Sequence, residues 1–252
     1  MRDETFVSII TPCYNAEKYI AETIKSVRNQ TYQNWEMLIC DDCSTDNSAE
    51  IIKEFCTKDN RIKYLKTDYN TGGPSMPRNI AINNSVGDYI AFLDADDVWL
   101  PTKLAVQLDL VHSKKVGIVY SNGKMIDAYG KIVRDLIFLS SSNYFSNLKQ
   151  CQLTSSSTLL RRDIVLGHVF KNVQREDFVF WLDILKKDNQ IAYNTNTVEF
   201  YYRIVPNSRS RNKLMIVWQQ WYTLRKDIGL NVLVALYYFM NYIFRSIRRY
   251  YL

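Results

Sequence analysis

The segment DYIAFLDADDVW, residues 88–99, joins an apolar run to three carboxylates, and the expected fold follows from it. Residues 89–93 have the apolar and aromatic composition of a buried strand, and Asp94, Asp96 and Asp97 follow at once. Three carboxylates within four residues repel one another unless a positive charge lies among them. Mg²⁺ or Mn²⁺, which bind oxygen ligands together with substrate phosphates, would supply that charge. The segment alone is equally consistent with aspartates that cap the next helix or lie solvated in a turn.

Similar transitions from strand to helix precede this segment. Residues 6–11 and 35–40 are predicted strands, and each is followed by a helix with apolar residues at helical spacing. Strands that alternate with helices over about 120 residues predict a doubly wound α/β sheet, in which ligands bind at the carboxyl ends of the strands. Asp41 and Asp42 end the second predicted strand, so we expect them on the same rim as the later aspartates.

A glycine-containing loop lies between the two acidic groups, at residues 68–77. Gly72 and Gly73 would let backbone amides approach a ligand, and Arg78 follows with a charge that could face a phosphate. Turn glycines can equally serve only the turn. The sequence contains neither G-x-G-x-x-G nor G-x-x-x-x-G-K-[ST], so the usual dinucleotide and P-loop motifs are absent.

Glu176 and Asp177 open a further predicted helix. An acidic pair in the first turn is stabilised by the helix dipole, which is one explanation of the pair. The other explanation is that one of the two carboxylates is a general base in a cleft.

The composition limits the class of protein. A chain of 252 residues that is 47% hydrophobic and 23% charged fits one large folded domain, or a domain with an appendage. Its five cysteines, without an export signal, favour reduced thiols in the cytoplasm. The Cys40-x-x-Cys43 motif lacks a second such pair, which disfavours a zinc site. With only two histidines, a Ser/His/Asp hydrolase or a His-ligated zinc enzyme is disfavoured, so carboxylates must perform any acid or base catalysis.

The net charge of +6 originates in the C-terminal part of the chain. Residues 203–252 contain nine Lys or Arg and one acidic residue, and the remainder is slightly acidic. Residues 228–244 carry no formal charge, but they are fewer than the ~20 that a membrane-spanning helix needs. An interfacial helix on an anionic membrane is one interpretation. A helix packed on its own domain or at a subunit interface is the other.

Taken together, five segments resemble the inverting glycosyltransferases of family 2, which have the GT-A fold. They are VSIITPCYNAEKYIAETIKSVRNQTY, ICDDCSTDNS, GGPSMPRNIAI, GDYIAFLDADDVW and REDFVFWLDIL. The resemblance covers residues 6–205 and implies an α/β fold, with a Rossmann-like, mixed but mainly parallel sheet flanked by helices. The expected GT-A domain is 1–205, divided into a nucleotide-sugar-binding half, 1–120, and an acceptor half, 121–205. Residues 206–252 would form a basic, aromatic helical tail.

The resemblance also implies site residues. Those expected to bind a UDP-sugar are Pro12, Tyr14, Asp41, Arg78, Asp94 and Asp96. Asp94 and Asp96 match the D-x-D motif, in which Asp94 would lie near the ribose and Asp96 would bind Mn²⁺ or Mg²⁺. Asp177 matches the catalytic base.

Other positions of the family pattern concern the nucleotide. Pro12, Tyr14 and Asp41 would surround the nucleoside and uracil, and Arg78 would lie near the diphosphate. The sequence departs from the pattern at Cys43, which replaces the usual glycine after the paired aspartates.

The expected activity is the transfer of a single sugar from a UDP-sugar to a hydroxyl of a saccharide acceptor, lipid-linked, in surface polysaccharide synthesis. The Q-x-x-R-W motif of processive synthases is missing, which favours addition of one sugar. The basic tail would hold the protein to the anionic inner face of the cell membrane, and no nucleic acid partner is expected. The alternative is a non-catalytic module that binds a nucleotide-sugar or a nucleic acid.

Overall fold

The apolar runs of the sequence form one sheet, and the segments between them form most of the helices. The computed structural model describes residues 5–205 and 213–251, so residues 206–212 of the expected tail lie outside the described chain. The sheet in the described residues has ten strands: β1 (Val7–Cys13), β2 (Trp35–Asp41), β3 (Ile62–Lys66), β4 (Tyr89–Phe92), β5 (Val98–Trp99), β6 (Ile118–Ile126), β7 (Ile132–Leu136), β8 (Ser141–Ser142), β9 (Thr158–Arg161) and β10 (Ala192–Arg203).

The helices follow the strands in alternation through the first half of the chain. The α-helices of the described residues are α1 (Ile20–Arg28), α2 (Ser48–Lys58), α3 (Ser75–Asn84), α4 (Lys103–Lys114), α5 (Tyr144–Lys149), α6 (Arg162–Val165), α7 (Glu176–Lys186), α8 (Lys213–Tyr222) and α9 (Val232–Tyr251). A π-helical turn, Thr223–Asp227, follows α8 directly.

The first four strands are parallel and lie in the order β3-β2-β1-β4. Every residue of β1 and β2 is buried, as expected for strands whose sheet is covered on both faces. The order reverses between β1 and β4, and ligands of doubly wound folds bind at the carboxyl ends of the strands beside such a reversal. The predicted α/β class is confirmed, and the acidic residues lie at this reversal.

The second half of the sheet is mixed. Strand β9 runs antiparallel between β4 and β6, and β10 is parallel to β6. The sequence of residues 153–160 predicts a further strand near the site, and this prediction is wrong in its first half, because Ser155–Ser157 form a 3₁₀ turn. In that turn the Ser157 hydroxyl donates to the Thr154 carbonyl, and such local bonds compete with strand pairing.

The sequence predicts two strands, near residues 191–193 and 198–202, but in the structure they are one strand, β10, with register shifts between residues 194 and 200. The polar and aromatic composition of residues 122–150 predicts no element; in the structure these residues complete β6, form the hairpin strand β7 and continue through β8 into α5.

A second core lies outside the main one, and it belongs to the C-terminal helices. Its buried side chains are Leu148, Phe178, Leu182, Leu224, Ala235 and Tyr238. Helix α7 therefore packs against α8, α9 and the turn between them as well as against the sheet. The described part of the expected tail thus packs on its own domain, one of the two interpretations of the sequence. Among the described residues, no helix is long and apolar enough to cross a membrane.

Candidate active site

The carboxyl ends of β1, β2 and β4 lie side by side. Cys13 is paired with Asp41, and Ile10 is paired with Phe92, so Tyr14 and Asp94 follow their strands at one edge of the sheet. We call this region the acidic edge and define it by Asp41, Asp42, Asp94, Asp96 and Asp97. Pro12 is within β1, where it is paired with Cys40, and Tyr14 is exposed.

Asp41 and Asp42 are buried and bound by the protein. The Asp41 carboxylate accepts hydrogen bonds from the Ser44 amide, at 3.0 Å, and from the Tyr64 hydroxyl, at 2.9 Å. The pKa of Tyr64 is raised, first by burial and then by Asp41. Asp42 accepts from the Thr71 amide at 2.9 Å. The two carboxylates thus fix the loops that follow β2 and β3, and a direct role of Asp41 toward a nucleoside stays a prediction.

Cys43 has the backbone conformation that its position requires. Its φ is +57°, in the left-handed region that glycine adopts without strain. Its thiol donates to the Thr67 carbonyl at 3.3 Å. The turn is therefore formed despite the replacement of the expected glycine.

Arg78 joins the two acidic motifs of the sequence. Its guanidinium binds the Asp94 carboxylate at 2.6 Å and lies 3.5 Å from that of Glu176. Asp94 follows β4, and Glu176 is the first residue of α7. The Arg78 side chain therefore connects two carboxylates that are 82 positions apart in the sequence. This positive charge lies beside Asp94, one of the three carboxylates among which the sequence predicted a metal ion.

Arg78 is itself 3% exposed. Its guanidinium lies 5.0 Å from the ring centroid of Phe170, which stacks on Phe180 at 3.7 Å. Burial lowers its pKa, but the carboxylates of Asp94 and Glu176 outweigh burial and raise it overall, so the side chain stays charged. Its predicted place beside a diphosphate stays a prediction, because both partners that the structure gives it are carboxylates.

Asp96 and Asp97 have different surroundings. Asp96 is partly exposed, and its pKa is raised to about 6 by burial and then by Asp94. Asp97 is buried, accepts the Arg203 amide at 2.9 Å and binds the Ser156 hydroxyl at 2.5 Å. The expectation that one cation lies among all three carboxylates is wrong for Asp97, which is turned inward to its protein partners.

The donor set at this edge can hold a divalent cation only together with a ligand. No group of three or more His, Cys, Asp or Glu side chains in the described ranges is arranged to bind a metal ion. Mg²⁺ is commonly held by one or two carboxylates plus substrate phosphates, and Asp96 with Asp94 can provide such a pair. The residues present therefore fit Mg²⁺ or Mn²⁺ bound jointly with a diphosphate.

Asp177 lies in the first turn of α7, next to the Glu176 that Arg78 holds. It is partly exposed, and one carboxylate oxygen accepts the Phe178 amide at 2.7 Å. Its charge also contributes to the raised pKa of Arg78, which places it near the same guanidinium. The helix-dipole explanation and the general-base explanation are both compatible with this position.

The sequence patterns did not identify two residues that bind the acidic edge. The Ser156 hydroxyl accepts the Asp94 amide at 3.1 Å, and Arg203 donates from Nε to the Asp96 carbonyl at 2.8 Å. Arg203 also binds Glu22 at 2.6 Å. Arg203 is one of the nine basic residues counted in the C-terminal part of the sequence, but in the structure it is the last residue of β10. A charged residue at the carboxyl end of a predicted strand was the signal that could have identified it.

Comparison with known proteins identifies the family. The model of "Glycosyl transferase family 2" matches residues 8–170. The chain is 37% identical over 247 residues to the UDP-Glc:alpha-D-GlcNAc-diphosphoundecaprenol beta-1,3-glucosyltransferase WfgD of Escherichia coli, a match covering 98% of this chain and 96% of that enzyme.

Two solved structures have a similar fold. S. aureus TarS 1-349 in complex with UDP-GlcNAc gives a TM-score of 0.75 at 20% identity, covering 96% of this chain and 73% of that chain. The mannosyltransferase PcManGT from Pyrobaculum calidifontis, in complex with GDP-Man and Mn²⁺, gives 0.70 at 16% identity, covering 94% and 70%. These likenesses agree with the predicted GT-A fold. The family match and the full-length similarity show that the protein belongs to glycosyltransferase family 2 and is a glycosyltransferase.

Proposed function

We propose that the protein transfers a single sugar from a UDP-sugar to a hydroxyl of a lipid-linked saccharide and inverts the anomeric configuration. The observation that carries the proposal is the bridge formed by Arg78. Because it binds Asp94 of the D-x-D motif and Glu176 of the acidic pair, the expected donor site and the expected base lie at one edge.

Asp177 is the proposed general base. Arg78 engages its neighbour Glu176, and Asp177 is the partly exposed carboxylate of the pair that the family pattern identifies as the base. Asp177 would accept the proton of the acceptor hydroxyl while the oxygen attacks the anomeric carbon from the side opposite the diphosphate. A single displacement on this geometry gives a β-linked product from an α-linked donor.

The proposed nucleotide-sugar site comprises the ends of β1, β2 and β4. Tyr14 is exposed there and can stack on a base, and the buried Pro12 and Asp41 would complete the surroundings of the nucleoside. Asp96 would hold Mn²⁺ or Mg²⁺ against the diphosphate, and Asp94 would lie near the ribose. When bound, the ion would neutralise the charge that develops on the leaving oxygen.

The lipid-linked acceptor is inferred from similarity over nearly the whole chain. WfgD, by its name, acts on GlcNAc joined to diphosphoundecaprenol, and 37% identity covers 98% of this chain. We propose the same acceptor class here, and a role in surface polysaccharide synthesis. Residues 1–120 would bind the donor and 121–205 the acceptor.

The C-terminal helices are proposed to hold the protein to the cytoplasmic face of the membrane that contains such an acceptor. Helix α9 is apolar on two faces: Ala235 and Tyr238 enter the second core, whereas Leu233 and Phe244 are 79% and 68% exposed. On α8 the exposed side chains of Met215, Trp218 and Tyr222 recur at helical spacing. Apolar stripes of this kind, beside basic residues, suit the interface of an anionic bilayer.

The experiment that tests this proposal measures sugar transfer from each of a panel of UDP-sugars to a synthetic diphospholipid-linked GlcNAc in the presence of Mn²⁺. We expect one UDP-sugar to give one added sugar, with β-configuration by NMR, and EDTA to abolish the reaction. Asp177→Asn should reduce transfer by about 10²–10⁴-fold while UDP binding persists.

Asp183→Asn is the matched control, since Asp183 lies on the same helix, bound to His168 at 2.8 Å. It should keep transfer within about twofold of the parent protein. Full transfer by Asp177→Asn, or no transfer with any UDP-sugar, would refute the proposal.

A further inference from the structure

Helix α7 is held between two cores. On one side Phe180 and Trp181 pack into the main core under the sheet. On the other side Phe178 and Leu182 pack into the second core with residues of the C-terminal helices. Two buried side chains of the helix that begins with Glu176 therefore pack in a core to which the C-terminal helices contribute.

Arg175, the residue that precedes α7, is bound by the C-terminal helices. A guanidinium nitrogen of Arg175 donates a hydrogen bond to the Oε1 atom of Gln220, on α8. The guanidinium also lies 4.7 Å from the ring centroid of Phe178 and 5.6 Å from that of Tyr242, on α9. Gln220 is 1% exposed, so this bond is formed inside the packed helices and not on the surface.

The first turn of α7 is thus fixed at two points. Arg78 holds Glu176 from the acidic edge, and Gln220 holds Arg175 from α8. Asp177 is the next residue in this turn. The side chain of Arg175 does not cap the helix, so its described partners, Gln220 and the rings of Phe178 and Tyr242, lie away from the helix backbone.

We infer that Gln220 is a positioning residue for the catalytic base, and that the C-terminal helices complete the active site by fixing Asp177 through Arg175. The inference rests on the proposed function, in which Asp177 is the base. A general base must lie within hydrogen-bond reach of the acceptor hydroxyl, and a misplacement of about 1 Å can lower the rate ~10²-fold. Loss of the Arg175–Gln220 contact would reduce the accuracy with which this carboxylate is placed.

The test uses Gln220→Met, which keeps the volume of the side chain and removes the acceptor oxygen. We expect kcat to fall at least tenfold, while the KM for the UDP-sugar and the affinity for UDP with Mn²⁺ change little and the melting temperature falls by only a few degrees. Arg175→Met removes the donor of the same bond and should have the same effect. Gln220→Glu keeps an acceptor oxygen for Arg175 and should retain at least half of the parent kcat.

Gln219→Met is the matched control. Gln219 is the neighbour on α8, and it bonds Gln174 at 2.9 Å on the exposed surface. It should leave kcat within twofold. A double variant supplies the decisive readout: in the Asp177→Asn background, Gln220→Met should cause no further loss of the residual transfer rate, because its effect acts through that carboxylate.

The results of these experiments distinguish a failure of this inference from a failure of the proposed function. If Asp177→Asn transfers at the parent rate, the proposed function fails, and this inference fails with it. If Asp177→Asn is inactive but Gln220→Met and Arg175→Met have the parent kcat, only the inference is overturned. It is also overturned if Gln220→Met lowers UDP affinity as much as kcat, or lowers the rate further in the Asp177→Asn background.

Discussion

The acidic edge and the C-terminal helices present opposite chemistry. At the acidic edge, charged side chains are bound by other residues of the chain: the buried Asp97 by Ser156 and Arg203, and the partly exposed Asp94 by the buried Arg78. On the C-terminal helices, large apolar side chains such as Leu233 are exposed.

This difference between the two regions predicts which property of the protein a substitution in each region should reduce. A buried, paired charge cannot be removed without leaving its partner desolvated, so changes at the acidic edge should affect stability and catalysis together. An exposed apolar side chain contributes little to folding, so changes at the exposed apolar positions of the C-terminal helices should affect association only.

The largest expected effect is that of Arg78→Met. This change leaves Asp94 and Glu176 without their shared counter-charge, and breaking a buried pair costs about 3–5 kcal/mol. We expect that loss in the free energy of unfolding, measured with urea, together with loss of transfer. Arg28→Met is the control, because the Arg28–Asp59 pair is partly exposed and should contribute less than about 1 kcal/mol. A cost below 1 kcal/mol for Arg78→Met would show that the bridge is not what unites the two motifs.

The next effect concerns metal dependence at the acidic edge. Asp96→Ala should weaken UDP binding by about tenfold or more with Mn²⁺ present, a change of at least ~1.4 kcal/mol, and leave it unchanged without metal. Calorimetric titration with UDP, with and without Mn²⁺, measures both values. The control is Asp109→Ala, on the exposed side of α4, which should leave both values unchanged. An equal loss with and without Mn²⁺ would remove Asp96 as a ligand.

The C-terminal helices should respond in the opposite way. Leu233→Ser and Phe244→Ser should each weaken binding to anionic phospholipid vesicles about tenfold or more, because burying such a side chain contributes about 1.5–3 kcal/mol. The free energy of unfolding should change by less than about 0.5 kcal/mol. Tyr129→Ser, on an exposed turn between β6 and β7, is the control. Unchanged sedimentation with vesicles would favour a subunit interface instead.

The sequence was most informative where one physical signal acts locally. Apolar runs that alternate with amphipathic helices predicted the sheet through β4, and the acidic pair predicted the start of α7. The family resemblance selected the GT-A fold, which the comparisons bear out. The roles of individual site residues stay predictions.

The partners of the acidic residues could not be predicted in the same way. Ser156 is 59 positions from Asp97, and Glu176 is 98 positions from Arg78, so only the folded chain brings them together. The orientation of Asp97 is a further example, since its sequence position does not distinguish it from Asp94 and Asp96. The sequence did not show which face of helix α9 is buried, because both of its faces are apolar and the periodic signal that identifies a buried face is therefore weak.

The smallest expected effect is a gain of stability at the acidic edge, from Cys43→Gly. At a φ of +57° a side chain costs about 1–2 kcal/mol relative to glycine. Loss of the thiol bond to the Thr67 carbonyl and the added freedom of the unfolded chain offset part of this gain, so we expect a net increase of about 0.5–1 kcal/mol in the free energy of unfolding. Cys43→Ala is the control, because it removes the same thiol bond but keeps the strained backbone, and it should be about 1 kcal/mol less stable than Cys43→Gly. Equal stabilities for the two variants would mean that the turn after Asp42 relaxes away from the left-handed region. In that case the acidic edge is less rigid than its buried hydrogen bonds indicate, and the contrast with the C-terminal helices becomes weaker.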